Sequence, residues 1–176
     1  KVQIKGRFRQ FDRQLCPHRI RQIAREHVDR MAALGGECDF VNEIALYYPL
    51  RVIMEILGVP AEDEPRMLKL TQELFGPQDP DMQRQRADAP DMGTVQEFFA
   101  YFTAMTEARR ANPQDDVATV IANATIDGKP IGHLEAMSYY IIIATAGHDT
   151  TSSATAGGLL ALIRSPWELE KLKADP

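Results

Sequence analysis

One stretch constrains this chain more than any other: Leu134 to Arg164, LEAMSYYIIIATAGHDTTSSATAGGLLALIR. At ~1.5 Å per residue a helix of that length runs about 45 Å, enough to cross a whole domain and be surrounded by other elements. Met137, Tyr140, Ile141, Ile142, Ile143, Leu160 and Ile163 leave no wide polar face, so the pattern predicts a helix buried nearly all round. Its middle breaks the rule. Gly147, His148, Asp149, Thr150, Thr151, Ser152 and Ser153 place an acid and four hydroxyls, all poor helix formers, where propensity and burial argue against them. Gly147 leaves one side bare for close approach, while Asp149 and the Thr hydroxyls can bond backbone carbonyls and bend or open the turn. Local rules broken at one place mark a candidate site.

The rest of the chain reads as shorter helices. Pro17 suits a first helical position, and the pattern predicts a helix to Leu34 closed by Gly35-Gly36. Asp39 is placed to cap a helix that runs to Gly58-Val59-Pro60, and Glu62-Asp63-Glu64 opens another, to about Phe75. Residues 76–93 hold two Pro-containing clusters among polar residues and are expected to form a mobile connection, a lid over substrate. Thr94 is placed to cap a helix through Arg110, Asp115-Asp116 starts a short helix, and Asp127-Gly128 is a turn. Ser165-Pro166-Trp167-Glu168 reads as a capping box with Pro at the first helical position. The first eleven residues read only as a basic segment.

Composition closes off other classes. The longest apolar run, around Tyr139 to Gly147, ends at His148-Asp149 and falls short of the ~20 residues that a membrane span needs. No secretory signal opens the chain, and two cysteines, Cys16 and Cys38, give no disulfide framework; the expectation is a cytoplasmic protein with no membrane contact. Residues 1 to 30 carry nine Lys or Arg against three acids, although the whole chain is −5. Without aromatic interleaving or a binding motif, that asymmetry gives no reason to expect nucleic acid. With no His-x-x-x-His pair, a metal site built on histidines is not expected either.

Ala146-Gly147-His148-Asp149-Thr150-Thr151 resembles the central-helix signature of the cytochrome P450 haem-thiolate monooxygenases: Ala or Gly, Gly, any residue, Asp or Glu, Thr, then Thr or Ser. The order of the helices is similar as well, and Leu57-Gly58-Val59-Pro60-x-x-Asp63 with Ala154-x-x-Gly157-Gly158-Leu159-Leu160 resembles soluble bacterial members. Two family landmarks are missing, the Phe- and Gly-rich loop with the haem-ligating Cys and the Glu-x-x-Arg that precedes it. Glu107-Ala108-Arg109-Arg110 has the latter spacing but stands before the central helix, and neither Cys16 nor Cys38 has the loop's context. The resemblance therefore implies a mainly α fold, the helical portion of a P450 with its long central helix. Residues 1–176 would be a partial single domain, an internal fragment lacking the haem-ligand Cys region and inactive alone.

In that family Ala146 and Gly147 would form the oxygen-binding groove over haem b, Asp149 the proton relay and Thr150 the hydrogen bond to peroxide. Helical spacing puts Ile142, Thr145, Ala146, Thr150 and Ser153 on one face, so Ile142 and Thr145 would meet substrate. A haem propionate would be held by Arg9, by its distance to Pro17, with Arg7 second. No metal ligand is assigned within the chain. The full-length parent would use dioxygen, and electrons from NAD(P)H through redox partners, to hydroxylate a hydrophobic terpene-, steroid- or fatty-acid-like molecule. An acidic ferredoxin-type donor would dock on the basic start. The opposed readings are a merely kinked helix with Asp149 in a structural salt bridge, and, for the whole chain, an all-helical non-enzymatic interaction module.

Overall fold

The computed structural model describes residues 2–3, 16–75 and 92–175. Expectations that fall on Arg7, Arg9 and the 76–91 part of the expected lid lie outside the described residues. Helix α1 (Cys16–Ala33) ends at Gly35 and Gly36, whose φ values of 80° and 104° are the left-handed region that glycine reaches without strain. Asp39 does start the next element: its Oδ1 accepts the Asn42 N–H at 3.1 Å, and the Glu43 carboxylate accepts the Asp39 N–H at 2.9 Å.

That element is not the single helix its pattern predicts. A π turn (Val41–Ala45) comes first, with the Leu46 N–H reaching back to Val41 O at 3.1 Å, and helix α2 (Tyr47–Leu57) follows. Pro49 gives the physical reason. It has no N–H for the Ala45 carbonyl and its ring crowds that carbonyl, so the chain takes a wider turn before the helix settles. A 3₁₀ turn (Ala61–Asp63) leads into α3 (Glu64–Phe75).

Helix α4 (Met92–Ala111) begins before the expected cap; Thr94 is inside it, and its hydroxyl donates instead to Glu73 Oε2 of α3 at 2.8 Å. Asp116 caps α5 (Val117–Ala122), taking the Thr119 N–H at 2.7 Å. Asp127 and Gly128, at φ 51° and 79°, turn β2 (Thr125–Ile126) into β3 (Lys129–Pro130). A strand the sequence did not announce, β1 (Val2–Gln3), pairs antiparallel with β2 to complete a small sheet in the order β1-β2-β3. Two residues are too few to leave a period-two signal.

The long stretch splits into α6 (His133–Ala146) and α7 (Asp149–Arg164), and α8 (Pro166–Ala174) follows. Ser165 makes no side-chain cap; its carbonyl takes the Glu168 N–H at 2.9 Å, so the expected capping box is only a backbone turn with Pro at the start. Leu50, Met54 and Leu57 of α2, Met67 and Leu70 of α3, Phe98 and Phe102 of α4, and Met137 and Tyr140 of α6 form the core. Phe102 stacks on Tyr140 with ring centres 4.5 Å apart. Under this core, Arg109 Nε donates to Asp116 at 2.5 Å and Arg109 Nη2 to Gly58 O at 2.9 Å, which ties the ends of α2, α4 and α5 together. Gly58 caps α2 at φ 75°, and a Cβ there would stand 2.2 Å from Asp116 Oδ2.

The expectation of a long helix buried all round fails on one face of α6 and along nearly all of α7. Ile142 (59%), Leu160 (47%) and Ile163 (64%) are exposed, and Ser152 is the one buried residue of α7. Among the described residues, helices α2, α4 and α5 cover α6, whereas α7 meets only the π turn, part of α2 and its own neighbours α6 and α8.

Candidate functional site

The site is the joint between α6 and α7. The His148 N–H bonds Thr145 O at 3.2 Å, a tightened turn, before Ser152 N–H to His148 O at 2.9 Å restores the ordinary helical pattern. Two threonines add bends: Thr145 Oγ1 donates to Ile141 O at 2.7 Å, and Thr150 Oγ1 donates to Ala146 O at 2.9 Å, across the joint itself.

The joint has two faces. Ala136, Tyr140, Ala144, His148 and Ser152, each four residues on, form a buried stripe against the body of the protein. On the other face Ile142, Ala146, Thr150 and Ser153 are exposed and Thr145 is half-buried, so the structure does bring those five residues together. Asp149 stands beside them with its side chain 68% exposed. Exposure on that scale makes it a poor structural ion pair and leaves it in free exchange with water. Gly147 differs from its expected place: a Cβ there would point at Ile53 Cδ1 of α2, 3.0 Å away, so the bare side lets two helices approach and only its backbone can serve the open face.

His148 is the residue that sequence reasoning missed. It lies on the face opposite Ile142 and Thr150, and that face is the interior: its side chain is 2% exposed and Nε2 lies 2.9 Å from Leu46 O. A carbonyl only accepts, so Nε2 carries the proton of this bond. Leu46 is the residue that closes the π turn, so the joint in one long helix is fastened to the irregular turn before another. Its second nitrogen, Nδ1, is 3.5 Å from Asp149 Oδ1. The signal was available as spacing, since His148 is four residues beyond Ala144 and eight beyond Tyr140.

An exposed hydroxyl and carboxylate one residue apart, on a face otherwise built from Ile, Ala and Thr, can hold and pass a proton beside an apolar guest. Among the described residues no three His, Cys, Asp or Glu side chains gather to hold a metal ion, and Cys38 is exposed and unpaired. No helix among them is long and apolar enough to cross a membrane.

No protein-family model matches the chain. It is 47% identical over 165 residues to cytochrome P450-terp of a Pseudomonas species, covering 89% of this chain and 39% of that protein. It is 33% identical over 148 residues to the steroid C26-monooxygenase of Rhodococcus jostii (strain RHA1), covering 83% of this chain and 30% of that one. Among solved structures, CYP108D1 of Novosphingobium aromaticivorans DSM12444 superposes with a TM-score of 0.76 at 52% identity, over 89% of this chain and 36% of that chain. The present chain thus spans between three and four tenths of the length of the curated relatives it matches. With the helix order, the broken central helix and these likenesses in agreement, the chain belongs to the cytochrome P450 family, of bacterial type, and carries part of its helical portion.

Proposed function

We propose that this chain is the oxygen-activating segment of a longer haem-dependent monooxygenase, a partial single domain that hydroxylates a hydrophobic terpene-, steroid- or fatty-acid-like molecule. One observation carries the reading: the Thr150 hydroxyl bridges the joint to Ala146 O on an open face, with the Asp149 carboxylate beside it in water. The family implies haem, and the open face fits a broad flat apolar group. From Ala136 to Ile163 the one carboxylate or cationic side chain besides His148 is Asp149, Ala146 is small, and nothing stands within 4 Å of where a Cβ would be on Gly157 or Gly158. Haem, when bound, supplies the redox chemistry that reduces dioxygen; its thiolate ligand comes from outside these residues, as do the electrons, from NAD(P)H by way of a ferredoxin-type donor.

The chain's own residues then have separate tasks. Thr150 turns its O–H from Ala146 O toward the open face and holds the oxygen end of the reactants. Asp149 takes a proton from water and hands it toward that hydroxyl, which an exposed carboxylate can do repeatedly. Ile142 and Thr145 would meet the substrate and keep bulk water from it, and Ala146 with the Gly147 backbone would leave room for the haem on the open face. Arg9, or Arg7 as second choice, would pair with a haem propionate. The names of the relatives, a cytochrome P450 and a monooxygenase, favour this reading over the interaction module.

The test uses the full-length enzyme. Thr150→Ala should keep consuming reductant and oxygen while diverting much of the flux to released hydrogen peroxide. Asp149→Asn should slow turnover about a hundredfold with coupling largely kept and the solvent isotope effect raised, since general acid–base groups contribute roughly 10²–10⁴. An unchanged peroxide-to-product ratio in Thr150→Ala would mean that the joint is only a bend.

A further inference from the structure

His148 takes no part in the chemistry just described, yet it is among the most deeply buried polar side chains of the described residues and sits between the two residues of the break and the body of the protein. Its Nε2–H meets Leu46 O at 2.9 Å, a partner 102 residues away in sequence. The π turn that ends at Leu46 is itself held by Asp39 and Glu43 at its start and forced by Pro49 at its end, so the carbonyl is presented by a fixed frame. On the other side of the ring, Nδ1 and Asp149 Oδ1 face each other at 3.5 Å. Two lone pairs at that distance repel; one proton between them makes a hydrogen bond.

We propose that His148 is the positioning residue of this site, fastening the α6–α7 joint to the π turn through Nε2 and seating the proton-loaded Asp149 through Nδ1. The inference rests on the oxygen-activation reading of Asp149 and Thr150. Because Nε2 is committed to Leu46 O, the ring cannot rotate away, and the adjacent Thr150 keeps one orientation relative to the open face. A proton taken from water is shared between Asp149 Oδ1 and His148 Nδ1 and draws the carboxylate inward; when it is handed on, the carboxylate loses that bond and returns to solvent. No electron moves: water supplies the proton, and the Thr150 hydroxyl takes it up as it gives its own O–H proton to the reactant that it holds.

The test uses the full-length haem enzyme and hydrogen–deuterium exchange alongside turnover. His148→Phe keeps the ring's bulk and removes both nitrogens; if it does not accumulate, His148→Asn, whose amide ends at the Nδ1 position, serves to disconnect Leu46. Either should speed amide exchange about three- to tenfold in residues 145–152 and in 42–50 together, as loss of one buried hydrogen bond predicts, and should raise the peroxide share. His148→Gln places an N–H where Nε2 stood and nothing where Nδ1 stood. It should restore protection of both segments and the normal peroxide share, while the solvent isotope effect on turnover rises toward that of Asp149→Asn. Faster exchange confined to 145–152, or a glutamine variant that restores neither segment, overturns the fastening; a wild-type isotope effect in His148→Gln overturns the seat. Should Thr150→Ala leave the peroxide ratio unchanged, the oxygen-activation reading falls while the exchange arm still judges His148. If that ratio moves but the exchange arm fails, this inference alone falls.

Discussion

Helices α6 and α7 are two halves of one sequence pattern, and they meet opposite environments. Each is rich in apolar and small residues. Helix α6 buries Ala136, Met137, Tyr140 and Ala144 against three other helices, while α7 buries Ser152 and leaves Leu160 and Ile163 in water. The difference teaches that apolar composition states what a helix must be covered by, not what lies within reach of it. On α6 the cover is supplied locally, by α2, α4 and α5. On α7 nothing among the described residues supplies it, which accords with a chain that spans 39% of the Pseudomonas relative.

The largest effect should come from the covered half. In the full-length protein Tyr140→Ala should cost about 3–5 kcal/mol in denaturant unfolding, since its ring is fully buried and stacked on Phe102. Asp116→Ala should cost nearly as much, about 3 kcal/mol, because Arg109 would then keep its charge beneath the core with, among the described residues, the Gly58 carbonyl as its remaining partner. Ile163→Ala sharpens the comparison from the other side. At 64% exposure it should cost little by the contacts described; in the whole protein, where the proposed remainder covers α7, we expect about 2 kcal/mol or more. A cost below about half a kcal/mol there would show that α7 stays open and break the explanation of the contrast.

What the sequence disclosed follows the range of the interaction. Asp39, Asp116 and Gly58 were legible because a cap or a left-handed stop is settled within four residues. The Asp127-Gly128 turn and the break at Gly147-His148 were legible for the same reason. Thr94 and Ser165 look like caps by type, but whether a hydroxyl serves its own helix or the next depends on packing, and Thr94 went to Glu73. The π turn required reading Pro49 backward, to the carbonyl it deprives. Of the site, the open face of Ile142, Thr145, Ala146, Thr150 and Ser153 came from helical spacing alone. The partner of His148 did not, because nothing local in the residues around 148 points to a carbonyl 102 positions earlier.

A smaller effect separates shape from hydrogen bonding in the covered half. Tyr140→Phe keeps the stacked ring and removes the hydroxyl that donates to Ala118 O at 3.3 Å and accepts from Thr106 at 3.2 Å. We expect about 1 kcal/mol, far less than Tyr140→Ala, in the same unfolding measurement. Equal losses in the two variants would show that the hydroxyl, not the packed ring, makes α6 the stable half.

The smallest effect concerns α2, the helix on which α6 rests and which α7 touches at its start. Arg51 stands between two carboxylates there, 3.2 Å from Glu55 and 3.8 Å from Glu64, and Arg19 of α1 grips Glu55 at 2.9 Å and 3.0 Å. The hydrogen bond from Arg19 holds Glu55 below the ordinary glutamate value, whereas burial pushes Glu64 above it despite Arg51. The two therefore act with opposite sign. Glu55 stabilises the fold at pH above the ordinary value of 4.5, and that contribution is lost as pH falls through its depressed folded value. Glu64, with its folded value raised above 4.5, takes up a proton in the folded state first, so its contribution improves as pH falls toward 4.5 from above and then levels off. Unfolding free energy should thus rise slightly on mild acidification and fall on further acidification, each change about 1 kcal/mol or less. Glu64→Gln should abolish the rise and Glu55→Gln the later fall. Both lie away from the joint, so neither should move the peroxide-to-product ratio, while Thr150→Ala should move that ratio with little change in stability. If Glu55→Gln shifts the ratio as well, then α2 transmits its own stability to the joint, and the covered and open halves of the long helix are not the separate regions that their burial makes them.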